Sequence, residues 1–196
     1  MKRKRNRIQR NAGHKEPTRA LWRSDSQGDG TMMRRVIPAA VCGFILTFAP
    51  VRAEEVEIKV VKLNGLQKAV ADQKGKIVVV DFWATFCIPC KEEFPNLVKL
   101  HADHGKKGVV CISVSVDDPE DKDAALKFLK KEKATFLNLL LDEAPEKYQK
   151  ELNFASVPTV LVYGKDGKLV KKFNATKPEE AFTYKDIRKV VEELLK

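Results

Sequence analysis

Cys87 and Cys90 stand three positions apart where the β-branched run Val78 to Val80 gives way, through Asp81 to Phe86, to residues of helical composition from Glu92 onward. Residues i and i+3 share a face of a helical turn with backbones about 5–6 Å apart, inside the window for an unstrained disulfide. Such a pair can open and close without large backbone motion, and reversible thiol–disulfide exchange asks for that. Other readings of two such cysteines are half of a zinc site, completed by His101 and His104, or an inert structural bridge. Ten residues separate Cys90 from His101 and two separate the histidines, which misses the zinc-finger spacing. Along a helix the fourteen positions from Cys90 to His104 would span about 21 Å, far beyond one coordination sphere. The histidines are expected on a solvated helix end instead, beside its C-terminal carbonyls. As a purely structural bridge, a loop this short would stabilise little.

The elements around the pair must hold it at a strand-to-helix junction. Val78 to Val80 is the kind of run found in a buried strand, and the helical composition beyond Glu92 puts Cys87 near a helix N-terminus. There the free N–H groups and the helix dipole favour thiolate over thiol. Pro89 lacks an N–H and suits the first turn. Ile88 leaves the rim apolar and uncharged, a surface suited to another protein's chain. Pro95 falls inside the helix, where it is expected to produce a kink.

The segment Asp81 to Pro95, in the form Trp-Ala-Thr-x-Cys-x-Pro-Cys-Lys-x-Glu-Phe-Pro, resembles the active site of the thioredoxin superfamily. It is similar to the exported thioredoxin-like reductases of the TlpA/ResA type, over roughly residues 56 to 196. The resemblance implies an α/β, thioredoxin-like fold: a central mixed β-sheet flanked by helices, with an extra helix-strand insertion before a cis-proline. Val157-Pro158-Thr159 matches that cis-proline segment, which faces the cysteine pair in the superfamily. Asp81 falls where thioredoxins keep a buried acid that helps deprotonate the second cysteine, and Glu93 matches a glutamate near the pair in cytochrome-maturation relatives. Two buried carboxylates beside one disulfide would titrate together, the more desolvated one with its pKa raised. By the same resemblance Trp83 borders the substrate groove, and Ile88, Pro89, Val157 and Pro158 meet the incoming chain.

This sequence departs from its relatives at two places. Phe86 stands where most of them carry Trp, which changes packing beside Cys87 but removes no reacting group. Ser113 stands where thioredoxin carries a lysine partner for its buried acid, so Asp81 is expected to lack a counter-charge and to be protonated when buried.

The activity implied is protein-disulfide reduction, with Cys87 attacking and Cys90 resolving, and with no cofactor and no metal. The implied partners are cysteine-containing client proteins, such as apocytochrome c or another protein of metal-site assembly, and a membrane thiol-electron donor. A monomer is expected. The residues alone leave open a thiol-based copper-binding or metallochaperone module, and a disulfide-forming oxidase, because direction depends on reduction potential and partners.

The formal charge of +10 invites a nucleic-acid reading, but its distribution argues against one. Residues 1–53 hold 12 Lys/Arg and 3 Asp/Glu, a net of +9, whereas the remaining 25 basic and 24 acidic residues nearly cancel. Residues 1–31 are polar, basic and without periodicity, a non-globular leader that fits a mis-assigned start upstream of Met32. Residues 32–53 have an export pattern: Arg34-Arg35, the mostly apolar stretch Val36 to Phe48, then Val51 and Ala53 suited to a signal peptidase. At 13 residues that stretch falls short of the ~20 of a membrane span. We expect cleavage after Ala53 and a periplasmic domain over 54–196, or a membrane-anchored one if the leader is retained. Cys42, preceded by Val41 rather than a small residue, does not suit a lipid anchor.

Within 54–196 the expected order is mixed. Val56, Ile58 and Val60 alternate as a half-exposed strand, and Leu63 to Gln73 form a helix closed by Gly75. Strands follow at Ile77–Phe82, Val109–Val116 and Phe136–Leu141, with a helix bearing Ala125, Phe128 and Leu129 before the last. Gly164 to Gly167 joins Thr159–Tyr163 to Leu169–Phe173 as a hairpin. A closing helix carries Ile187, Val190, Val191, Leu194 and Leu195, with Thr183 and Asp186 as a capping box. Cys111, flanked by Val110 and Ile112, is expected as a buried inert thiol.

Overall fold

The computed structural model describes residues 55–174 and 181–196; the leader and signal-peptide assignments lie outside the described residues. The elements are β1 (Lys59–Val61), α1 (Leu63–Ala71), β2 (Ile77–Trp83), α2 (Ile88–His104), β3 (Val109–Ser115), α3 (Lys122–Glu132), β4 (Leu137–Leu141), α4 (Pro145–Leu152), β5 (Thr159–Tyr163), β6 (Leu169–Asn174) and α5 (Tyr184–Leu195). They build one six-stranded sheet in the order β1-β4-β3-β2-β5-β6. β1, β4, β3 and β2 run parallel, whereas β5 is antiparallel to β2 and β6 to β5. This is the thioredoxin-like mixed sheet expected from the sequence, and β4 of the α3–β4 insertion sits between β1 and β3.

Every residue of β2 is buried because the strand lies mid-sheet with both faces covered, which its unbroken Ile-Val-Val-Val run requires. Alternation then divides two cores. Ile77, Val79 and Trp83 meet α2, α3 and α5 through Phe94, Leu97, Ala125, Leu129, Ile187 and Val191. Val78, Val80 and Phe82 point to the opposite face and meet Leu63 and Leu66 of α1, Tyr148 of α4 and Phe154. A parity change along β2 would exchange Asp81 with an apolar neighbour, so the buried acid is tied to the strand's register.

Two boundaries differ from expectation for physical reasons. β1 covers only Lys59–Val61, since those are the residues that find partners, in Leu139–Leu141 of β4. α4 had no counterpart in the sequence reading: it is eight residues long with Tyr148 as its one buried side chain, too short and polar to carry a stripe. Pro145 in its first turn and Asn153 in the left-handed conformation at its end delimit it. α2 runs through Pro95 for 17 residues. Gly167, at φ 80°, supplies the turn of the β5–β6 hairpin. Among the described residues no helix is long and apolar enough to cross a membrane.

Candidate active site

Cys87 is the N-cap of α2, and Cys90 lies in its first turn. The two are joined as a disulfide, with Cα atoms 5.3 Å apart. The Cys90 backbone N–H points at Cys87 Sγ, 3.3 Å away. That donor, with the α2 dipole behind it, would hold negative charge on Cys87 once the bond opens. Pro89 sits at the start of the helix as expected.

The turn that delivers Cys87 is anchored from the neighbouring strand end. Asp117, buried just beyond β3, accepts hydrogen bonds from the Thr85 backbone N–H at 2.9 Å and from the Thr85 hydroxyl at 2.6 Å. The Ser115 hydroxyl donates to its other oxygen at 2.6 Å. The carboxylate is thereby satisfied without a cation.

Around the disulfide the surface is apolar and open. Phe86 is 73% exposed and Ile88 64%, while Cys87 and Cys90 retain 8% and 4%. Val157-Pro158 is a cis peptide bond, and Pro158 lines one cavity of about 60 Å³ with Asp81, Pro89, Cys90, Glu93, Phe182 and Tyr184. The structure thus gathers Cys90, Asp81, Glu93, Pro89 and Pro158 in one place.

Trp83 requires a correction. It is fully buried, packed 5.3 Å from Phe94 and 4.9 Å from Phe128 between ring centroids, so it supports the site from within and does not border a groove. Phe86 and Ile88 form the rim in its place.

Glu93 also differs from expectation, being half-buried rather than buried, because it faces the N-terminus of α5. There one of its carboxylate oxygens accepts the Tyr184 backbone N–H at 3.3 Å and the Asn96 side chain at 3.1 Å. Asp81 is the buried member, and desolvation raises its pKa from 3.8 to about 7, opposed by a hydrogen bond from Tyr184 and reinforced by the charge of Glu93. Ser113 is its register partner on β3, with no lysine, and the Ser113 hydroxyl donates to Asn138 Oδ1 at 2.8 Å instead. The donor to Asp81 is the Tyr184 hydroxyl, 2.7 Å from Oδ2.

Away from the disulfide, Cys111 is a free, buried thiol, and burial pushes its pKa far up, so it stays protonated. The histidines are not on a solvated end. His104 is buried, with Arg188 Nη1 donating to its Nε2 at 3.0 Å, and His101 packs against Phe136 at 5.2 Å. α5 covers His104, and Phe136, just before β4, covers His101. Among the described residues no group of three His, Cys, Asp or Glu side chains could hold a metal ion.

A family model described as the AhpC/TSA family matches residues 51–188. The chain belongs to that family. Its relatives include the thiol-disulfide oxidoreductase ResA of Bacillus thuringiensis subsp. konkukian, 30% identical over 121 residues, covering 62% of this chain and 68% of that one. Among solved structures, a secreted Mycobacterium tuberculosis disulfide oxidoreductase is 25% identical with a TM-score of 0.52, covering 63% of this chain and 86% of that one. A Chlorobium tepidum protein described as a thiol:disulfide interchange protein DsbE reaches a TM-score of 0.55 over 65% of this chain and 85% of its own. At 23% identity that last likeness shows the fold alone. This member of the AhpC/TSA family is an enzyme, a thiol–disulfide oxidoreductase of thioredoxin-like fold.

Sequence reasoning missed Tyr184, Asp117 and Thr85. Tyr184 lies three positions before Ile187 on the apolar stripe of α5, so its burial could have been foreseen from periodicity, though not its partner. Asp117, directly after the Val109–Val116 strand and before Asp118-Pro119, carries only the composition of a strand stop.

Proposed function

We propose that this oxidoreductase works outside the cytoplasm as a protein-disulfide reductase. Its clients would be cysteine-containing proteins, such as apocytochrome c or another protein of metal-site assembly, with a membrane thiol-electron donor returning it to the dithiol. The observation that carries this reading is the asymmetry of the pair: Cys87 caps α2 under an exposed apolar rim, whereas Cys90 lies over a cavity it shares with Asp81.

In the dithiol form, Cys87 thiolate attacks one sulfur of the client disulfide. The client's S–S bond breaks, its departing thiolate takes a proton, and a mixed disulfide joins Cys87 to the client. Cys90 then gives its proton to the Asp81 carboxylate and attacks Cys87 Sγ. The second client thiolate leaves, and the enzyme is left as the disulfide, having transferred two electrons. A carboxyl with a pKa about 7 suits this exchange, since it takes and releases a proton near neutrality. Glu93, beside it, sets the local charge. Ile88, Pro89, Val157 and Pro158 form the surface on which the client chain lies, and Phe86 extends it. The export pattern of residues 32–53 and the secreted Mycobacterium tuberculosis relative support an extracytoplasmic site.

The test is turnover of a peptide disulfide with dithiothreitol as electron source. Cys87→Ser should abolish it, and Cys90→Ser should stop after trapping the peptide on Cys87. Wild-type turnover in both variants would sink the reading. The reduction potential of the couple fixes direction: a value well below the ambient poise makes a reductant, one well above it an oxidant. N-terminal sequencing of the exported protein should begin at Glu54.

A further inference from the structure

We propose that Tyr184 is a positioning residue for the exchange reaction, its hydroxyl holding one oxygen of Asp81 so that the carboxylate stands ready for the proton of Cys90. This rests on the role given to Asp81 above and adds the group that controls it.

The sheet itself gives Asp81 no donor. Val160 on β5 and Ser113 on β3 flank it in register, and the Ser113 hydroxyl is already donated to Asn138. Among the described residues the Tyr184 hydroxyl is the one side chain hydrogen-bonded to Asp81, at 2.7 Å, across 103 positions of sequence. Both partners are buried, with Asp81 4% exposed. A hydrogen bond to a carboxylate in such a setting is worth more than in water.

Tyr184 is itself held in place. It is the first residue of α5, whose start is fixed by the reciprocal Thr183–Asp186 capping box, and its backbone N–H is directed to Glu93 Oε2. One residue therefore spans the two acids of the site, its main chain on Glu93 and its hydroxyl on Asp81. Burial raises the Tyr184 pKa well above its ordinary value, so the hydroxyl remains a donor throughout the working range. Asp81, Cys90, Glu93 and Tyr184 line the same cavity of about 60 Å³, which has room for water to carry a proton between them.

The titratable groups facing Asp81 are Glu93 and Cys90 from α2, Cys111 from β3 and Tyr184 from α5. None is a cation; Glu93 favours the protonated acid, and Cys111 is a neutral thiol throughout the working range. The Tyr184 hydroxyl alone favours the ionised form. Its removal therefore leaves less carboxylate at neutral pH to accept the Cys90 proton.

The experiment follows the rate at which Cys90 resolves a Cys87–peptide mixed disulfide across pH, in wild type, Tyr184→Phe and Asp81→Asn. Tyr184→Phe keeps the ring and should move the acid limb of the profile up by about 1 pH unit, with rates converging on wild type at high pH. Asp81→Asn should abolish that limb. Should Asp81→Asn leave the limb in place, Asp81 is not the acceptor and the underlying reading fails. If Asp81→Asn abolishes it while Tyr184→Phe leaves it unmoved, or slows the step equally at every pH, Tyr184 serves packing only and the inference is overturned. Site-specific 3-fluorotyrosine at position 184, a stronger donor with the same ring, should move the limb the opposite way. That variant decides the matter even if Tyr184→Phe does not fold.

Discussion

Burial drives Asp81 towards its protonated form, and the stability of the protein should record this. Its pKa is about 7 in the folded chain against an ordinary 3.8, so the folded state binds a proton that the unfolded chain has already released. Stability contributed by the protonated acid is complete below the unfolded value and is lost as pH rises through about 7. Over that window the loss is roughly 4 kcal/mol. Asp81→Asn removes the titration, so its stability relative to wild type should grow by about that amount between pH 4 and pH 8, as measured by urea unfolding of the oxidised proteins. An unchanged difference at the two pH values would mean that Asp81 titrates as an ordinary surface acid. The residues on each side of this chemistry were unequally legible. Asp81, the two cysteines and the missing lysine at Ser113 are local matches to a motif or a count along one strand. Tyr184 has no such signal, because a tyrosine on an amphipathic helix reads as core until the fold brings α5 against β2.

At the scale of elements, the loop between β2 and α2 depends on a residue of another strand. Asp117 gathers the Thr85 N–H, the Thr85 hydroxyl and the Ser115 hydroxyl, and this fixes the turn that ends in Cys87. Asp117→Ala leaves those donors without an acceptor in a buried setting, and should destabilise the protein by about 3 kcal/mol. Asp117→Asn retains one acceptor oxygen and should fall between the two. Alkylation of Cys87 in the reduced protein should change in the same order, since the loop that presents the thiol is loosened. A loss of stability with an unaltered alkylation rate would place Asp117 in packing and not in site positioning. Sequence could not supply this link: Asp117-Asp118-Pro119 has the composition of any strand stop. α4 was hidden for a related reason, its single buried residue Tyr148 giving no period to read. The long central elements were legible because β2 is uniformly apolar and α5 keeps a full stripe, both imposed by layers that cover them.

Across the whole molecule, one polar row crosses the face of the sheet that carries the site. In register from β2 through β3 to β4 lie Asp81, Ser113 and Asn138, among apolar neighbours. Asn138 closes the row. Its amide donates to the backbone carbonyls of Ala134, Phe136 and Glu57 at 2.8, 2.9 and 3.2 Å, while its oxygen accepts the Ser113 hydroxyl. These bonds tie the α3–β4 insertion to β3 and to the segment before β1. Without them the carbonyls of an irregular turn would be buried unpaired, so the insertion is held by polar satisfaction as well as by apolar contact. Asn138→Leu conserves approximate volume but strands three carbonyls and one hydroxyl, and should lower stability by roughly 3 kcal/mol. The urea midpoint should fall with an unchanged slope, because the surface exposed on unfolding stays the same. Peptide-disulfide turnover measured well below the new midpoint should remain close to wild type, since the cysteine pair and its cavity lie at the β2–α2 junction, two strands from Asn138. A variant as stable as wild type would show that apolar packing alone holds the insertion on the sheet. One that folds normally yet loses turnover would instead join the insertion to the reacting cysteines through Ser113, whose freed hydroxyl is the register neighbour of Asp81.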